Sequence, residues 1–107
     1  MIFGTKNKRE KFLNAFIKGM ETEGRSLVFL NDAVMHKTWC INYSISQLRQ
    51  YEKDILGITV MDAKQLKCFV EEVVDEYYLS CNLMGSYDIC DFAVQLLKKY
   101  DVIANKR

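Results

Sequence analysis

The chain has 107 residues, half of them hydrophobic and 12% aromatic, with a formal net charge of +1. That composition is too apolar for a disordered chain and fits one packed domain. The near-neutral balance excludes the strongly basic profile of a dedicated nucleic-acid binder, and no run approaches the roughly 18 uncharged apolar residues of a membrane span.

The opening MIFGTKNKREK lacks the apolar segment of a secretory signal, and Ile2 stands where a myristoylation signal needs glycine. A cytoplasmic location is the resulting expectation. With no secretory signal, Cys40, Cys68, Cys81 and Cys90 read as free thiols in a reducing compartment.

In chain order, a first helix is expected over 6–24. Asn7 followed by Glu10 has the spacing of a capping box. Phe12, Ala15, Phe16, Gly19 and Met20 form one face, and Gly24 closes it. Its leading turn carries Lys6, Lys8, Arg9 and Lys11, cations at the end where the macrodipole favours anions.

Residues 25–45 carry two signals. Ser26 can cap a helix through Leu27, Leu30, Val34 and His36, whereas Trp39, Ile41, Tyr43 and Ile45 alternate with Cys40, Asn42 and Ser44 at the period of a strand. The sequence favours helix over 27–37 and an extended stretch after it, with a short β-hairpin as the alternative. A helix over 46–56 follows, capped by Ser46, with Leu48, Tyr51, Ile55 and Leu56 on one face and Gly57 at its end.

The stretch 61–84 has the strongest periodicity. Leu66, Phe69, Val70, Val73, Val74, Tyr77, Cys81 and Met84 recur at three- and four-residue steps and fill about half the helix circumference. Thr59 or Asp62 can cap it, and Gly85 can end it. A last helix is expected over 86–100, capped by Ser86, with Ile89, Phe92, Ala93, Leu96 and Tyr100 inward and 101–107 as a tail. The expected fold is mainly α: a compact bundle of four to five helices around a central helix 61–84. Its core should include Phe12, Phe16, Met20, Leu30, Trp39, Leu48, Ile55, Leu66, Phe69, Val73, Tyr77, Phe92 and Leu96.

Catalytic constellations are thin. His36 is the lone histidine; Cys40, four residues on, shares its face only if one helix spans both. His36, Cys40, Cys81 and Cys90 have ligand chemistry for zinc but lack the close Cys-x-x-Cys pair of a structural site. No glycine-rich phosphate loop is present. No cofactor, metal or catalytic residue is therefore assigned.

The polar face of 61–84 is unusual. Glu71 precedes Asp75 by four residues and Glu72 precedes Glu76 by four, and like charges at that spacing destabilise a helix by about 0.2–0.5 kcal/mol per pair. Leu79 and Leu83 project near them. Glu71, Glu72, Asp75, Glu76, Leu79 and Leu83 are the candidate surface for a protein partner, a basic one in particular. The basic turn Lys6–Lys11 is an internal candidate for the same face, and a homodimer is a further reading. The expected function is a small non-enzymatic protein-interaction module of adaptor, inhibitor or subunit type.

The alternative is a nucleic-acid-binding regulator. Helix 46–56, the turn Leu56-Gly57-Ile58-Thr59 and the following helix resemble the helix–turn–helix pattern over about 20 residues. Lys64 and Lys67 would then contact nucleic acid, with Lys6, Lys8, Arg9 and Lys11 as a second set. Lys53 stands where that pattern prefers a small residue, and Asp62, Glu71, Glu72, Asp75 and Glu76 face phosphates poorly.

Overall fold

A computed structural model of the chain describes residues 2–24, 33–79 and 89–106. Among them are four α-helices: α1 (Ile2–Gly19), α2 (Ala33–Tyr51), α3 (Ala63–Leu79) and α4 (Ile89–Asn105). Helix α1 closes in a π-helical turn, Met20–Gly24, and α2 in another, Glu52–Leu56.

The helices form an antiparallel bundle whose order around the ring is the order in the chain. Phe16 meets Tyr43, and Phe12 meets Tyr51, so α1 and α2 run in opposite directions. The Lys37–Asp75 ion pair and the Arg49–Met61 hydrogen bond do the same for α2 and α3. Tyr77 on Phe92 and Phe69 on Tyr100 fix α3 against α4, and Phe16 on Phe92 with Arg9 on Asp101 closes α4 onto α1. One continuous core, including Phe16, Met20, Leu48, Leu66, Val73, Tyr77, Phe92 and Leu96, runs between them.

The expectation of a bundle of four to five helices is met at the level of a four-helix bundle, with two differences. Helix α3 is one wall rather than the centre: its neighbours are α2 and α4, and its far side is open to solvent. The strand or hairpin reading does not hold over 33–45, and Ser46 caps nothing, because a single helix runs through both. Its buried stripe is His36, Cys40, Ser44, Leu48 and Glu52, one residue every four. Three of those five are polar. The apolar residues that mimic strand alternation, Trp39, Ile41, Tyr43 and Ile45, are the half-buried flanks of that stripe. Trp39 and Tyr43 stack on each other on one flank, ring centroids 4.8 Å apart.

Other boundaries move too. Helix α1 starts by Ile2, so Asn7 and Glu10 lie inside it rather than at its cap, and α4 continues through the expected tail to Asn105. Helix α3 begins with a capping box: Asp62 Oδ1 accepts from the Gln65 N–H at 2.8 Å, and Gln65 Oε1 accepts from the Asp62 N–H at 3.1 Å. Gly57 ends the α2 segment with φ of 71° and donates its N–H to Glu52 O at 2.7 Å. Leu30, Cys81, Leu83 and Met84, with the expected caps at Ser26, Gly85 and Ser86, lie outside the described residues.

Candidate interaction surface

Charged groups sort into two sets, one locked inside an end of the bundle and one displayed on α3. The locked set centres on Glu52, whose residue is only 2% exposed. Glu52 Oε2 accepts from the Val60 N–H at 3.0 Å, the Met61 N–H at 3.3 Å and the Tyr100 hydroxyl, and Oε1 accepts from Arg49 Nη1 at 2.7 Å. Arg49 also donates to the Met61 carbonyl at 2.7 Å. A buried carboxylate is tolerated only when its oxygens are satisfied in this way. Burial pushes the Glu52 carboxyl up, and the hydrogen bonds from Tyr100, Arg49, Val60 and Met61 more than reverse that, leaving it below the ordinary carboxylate range.

A second acid extends the clasp. Asp101 accepts from the Tyr51 hydroxyl at 3.0 Å and pairs with Arg9. Burial, with Asp101 beside it, pushes the Tyr51 hydroxyl up to about 12. Tyr51 and Tyr100 meet edge to face, so the two acids tie α1, α2, α4 and the turn before α3 into one network. Every group in it is engaged within the fold. It is a structural clasp.

Sequence periodicity missed this clasp, though a signal was present. Glu52 lies four residues after Leu48 and three before Ile55, on the apolar stripe itself. A carboxylate at such a position, with Arg49 one turn earlier, announces a buried charge with a partner.

The candidate chemistry on α2 is also internal. His36 and Cys40 share a face, but that face is the core. Burial lowers the affinity of His36 for a proton and pushes the Cys40 thiol up to about 12, the reverse of an activated nucleophile. Cys90 is exposed on α4, and among the described residues no cluster of ligand side chains is placed to hold a metal ion.

The displayed set lies on α3. Asp75 pairs with Lys37 of α2, and Glu76 Oε2 accepts from Lys99 Nζ of α4 at 2.8 Å. Both pairs are solvated and each adds on the order of 0.2–1 kcal/mol. Among the described residues the cations that pair with the acidic ladder are these two, whereas Arg9 of the basic turn goes to Asp101. Glu71 is half-buried and Glu72 exposed, and neither is ion-paired among the described residues. Lys64 and Lys67 are exposed and likewise without ion pairs among the described residues. Lys8 and Lys11 are exposed on α1; the side chains of Lys6 and Leu79, and all of Leu83, lie outside the described residues.

Beside Glu72 the α3–α4 seam opens into a groove of about 350 Å³, lined by Met61, Gln65, Cys68, Phe69, Glu72 and Ile103. Met61, Phe69 and Ile103 give it an apolar floor. Val102, next to Ile103, is 56% exposed. A second cleft, of about 430 Å³, lies behind the turn after α2. It is lined by Lys53 and Thr59 together with Arg49 and Glu52, which are paired with each other.

The segment that resembles a helix–turn–helix folds otherwise. That motif crosses its helices at about 90–120°; here α2 and α3 touch at both ends, through Lys37–Asp75 and Arg49–Met61, and so run side by side as an αα-hairpin. Comparison with protein-family models, curated proteins and solved structures found no match for this chain. Among the described residues no helix is long and apolar enough to cross a membrane.

Proposed function

We propose that this chain is a small, non-enzymatic protein-interaction module that takes a protein partner on the outer face of α3 and in the groove beside it. The observation that carries this reading is the juxtaposition of an apolar groove floor with a carboxylate, Glu72, that has no ion pair among the described residues. A groove open along a helix seam suits an inserted side chain, with a basic residue of the partner reaching Glu72. Adaptor, inhibitor and subunit roles all use such a surface. The titratable groups that could do chemistry support the same reading, since Glu52 is saturated with donors and His36 and Cys40 face the core.

The test is affinity capture from the source lysate with the parent chain, Glu72→Lys, and Lys11→Glu as a charge change elsewhere. Partners are expected to be lost with Glu72→Lys and kept with Lys11→Glu. An unchanged partner set with Glu72→Lys, with the helical circular dichroism intact, contradicts the proposal. A salt-sensitive gel shift that disappears on neutralising Lys64 and Lys67 would support the nucleic-acid reading in its place.

A further inference from the structure

The charges along the outer face of α3 are arranged against the helix that bears them. Lys64 and Lys67 lie near its N-terminus, whose first turn has no acidic residue. Glu71, Glu72, Asp75 and Glu76 occupy its later turns, and its last turn has no basic residue. Apart from the Asp62 cap, both sets oppose the macrodipole, which favours anions at the start of a helix and cations at its end. An arrangement that is unfavourable within one helix becomes favourable against a second helix running the other way.

We infer that the partner on this face is a second copy of the chain, with two α3 helices packed antiparallel about a two-fold axis at Cys68. The inference rests on the proposed interaction surface and names its occupant. Cys68 is exposed, with Lys64 four residues before it and Glu72 four residues after, both exposed and free of ion pairs among the described residues. A two-fold axis at Cys68 sets Lys64 of each copy opposite Glu72 of the other, because equal offsets on either side of the axis meet in an isologous contact. It also brings Gln65 opposite Glu71. Both charge pairs form at once from one self-complementary surface.

The groove fits the same geometry. It borders Cys68 and ends at Glu72, with Phe69 and Ile103 on its floor. A lysine stem arriving from the second copy covers those apolar atoms while its ammonium reaches the carboxylate. The antiparallel arrangement also sets the two macrodipoles head to tail. The contact is small and polar, so the dimer is weak, reversible and weakened by salt.

The experiment is sedimentation velocity on the full chain over a concentration series, with four proteins: parent, Lys64→Glu, Glu72→Lys, and the double swap. The parent is expected to associate to a dimer. Each single change turns two attractive pairs into two repulsive ones and should raise the dissociation constant about tenfold or more. The double swap restores the pairing in reverse and should recover the dimer. As a proximity check, copper–phenanthroline oxidation should cross-link the parent and Cys90→Ser, but not Cys68→Ser. A parent that stays monomeric at every concentration overturns the inference, as does a dimer indifferent to the single changes or not restored by the swap. If the parent is monomeric and Glu72→Lys still loses a captured protein, the surface stands and its occupant is another molecule. If Glu72→Lys changes neither, both readings fall.

Discussion

The two carboxylates Glu52 and Glu72 lie on neighbouring helices and have opposite roles. Glu52 is enclosed, and four donors from three parts of the chain converge on it. Glu72 is exposed and is ion-paired with no cation among the described residues. A charge withdrawn from water requires compensation inside the fold, so its partners reveal what it does: it fixes the turn 57–62 and anchors α4 to α2. A charge left in water against the local electrostatics of its helix has no such internal account. The difference separates residues that hold the structure from residues available to something outside it.

The comparison breaks most directly at the clasp. Replacing Glu52 with alanine leaves the Tyr100 hydroxyl and the Val60 and Met61 N–H groups without their acceptor. With three donors orphaned at about 1–3 kcal/mol each, the expected loss is about 3 kcal/mol or more of folding stability, read as a lower urea midpoint with the denaturant slope unchanged. Next in size is Gly19→Ala. A Cβ at Gly19 would fall 1.9 Å from the Tyr43 hydroxyl, which donates to the Phe16 carbonyl at 3.1 Å. The Tyr43 ring is held between Phe16 and Trp39 and cannot swing freely, so overpacking should cost about 1–3 kcal/mol in the same assay.

Acid should act in two stages. His36 has a folded affinity for protons below its ordinary value, so the unfolded chain takes up the proton first and stability declines as pH falls below about 6.5. Glu52, also depressed, contributes stability that is complete above the ordinary carboxylate value and is lost as pH falls through its lower folded value. Thermal unfolding against pH should show a shallow first decline that Glu52→Gln does not touch, and a later one that Glu52→Gln removes. The smallest effect on stability is expected on α3. Glu72→Lys should stay within about 0.5 kcal/mol of the parent, while the association properties change.

The sequence was most legible where apolar residues themselves form the buried stripe. Leu66, Val70, Val73, Val74 and Tyr77 on α3 and Ile89, Phe92, Ala93, Leu96 and Tyr100 on α4 are buried where their spacing placed them. Helix α2 was illegible for the converse reason. Its inward stripe holds His36, Ser44 and Glu52, while aromatic and branched residues flank it, so the hydrophobic pattern traced the flanks and suggested a strand. Tertiary packing from α1 on one side and α3 on the other makes that polar stripe a core. The acidic face of α3 was visible as a spacing anomaly, but its cations were not, because Lys37 and Lys99 come from helices whose order around the bundle no local pattern encodes. The same holds for Arg9, which the sequence offered to the acidic ladder and the fold gives to Asp101.

A side-by-side urea titration of Glu52→Gln and Glu72→Gln tests this division most directly, since both changes keep shape and remove one charge. The account predicts a loss of about 1–3 kcal/mol for Glu52→Gln, whose amide hydrogens would confront the Val60 and Met61 donors, and no measurable change for Glu72→Gln. Equal losses in the two variants, or a stable Glu52→Gln, would contradict it.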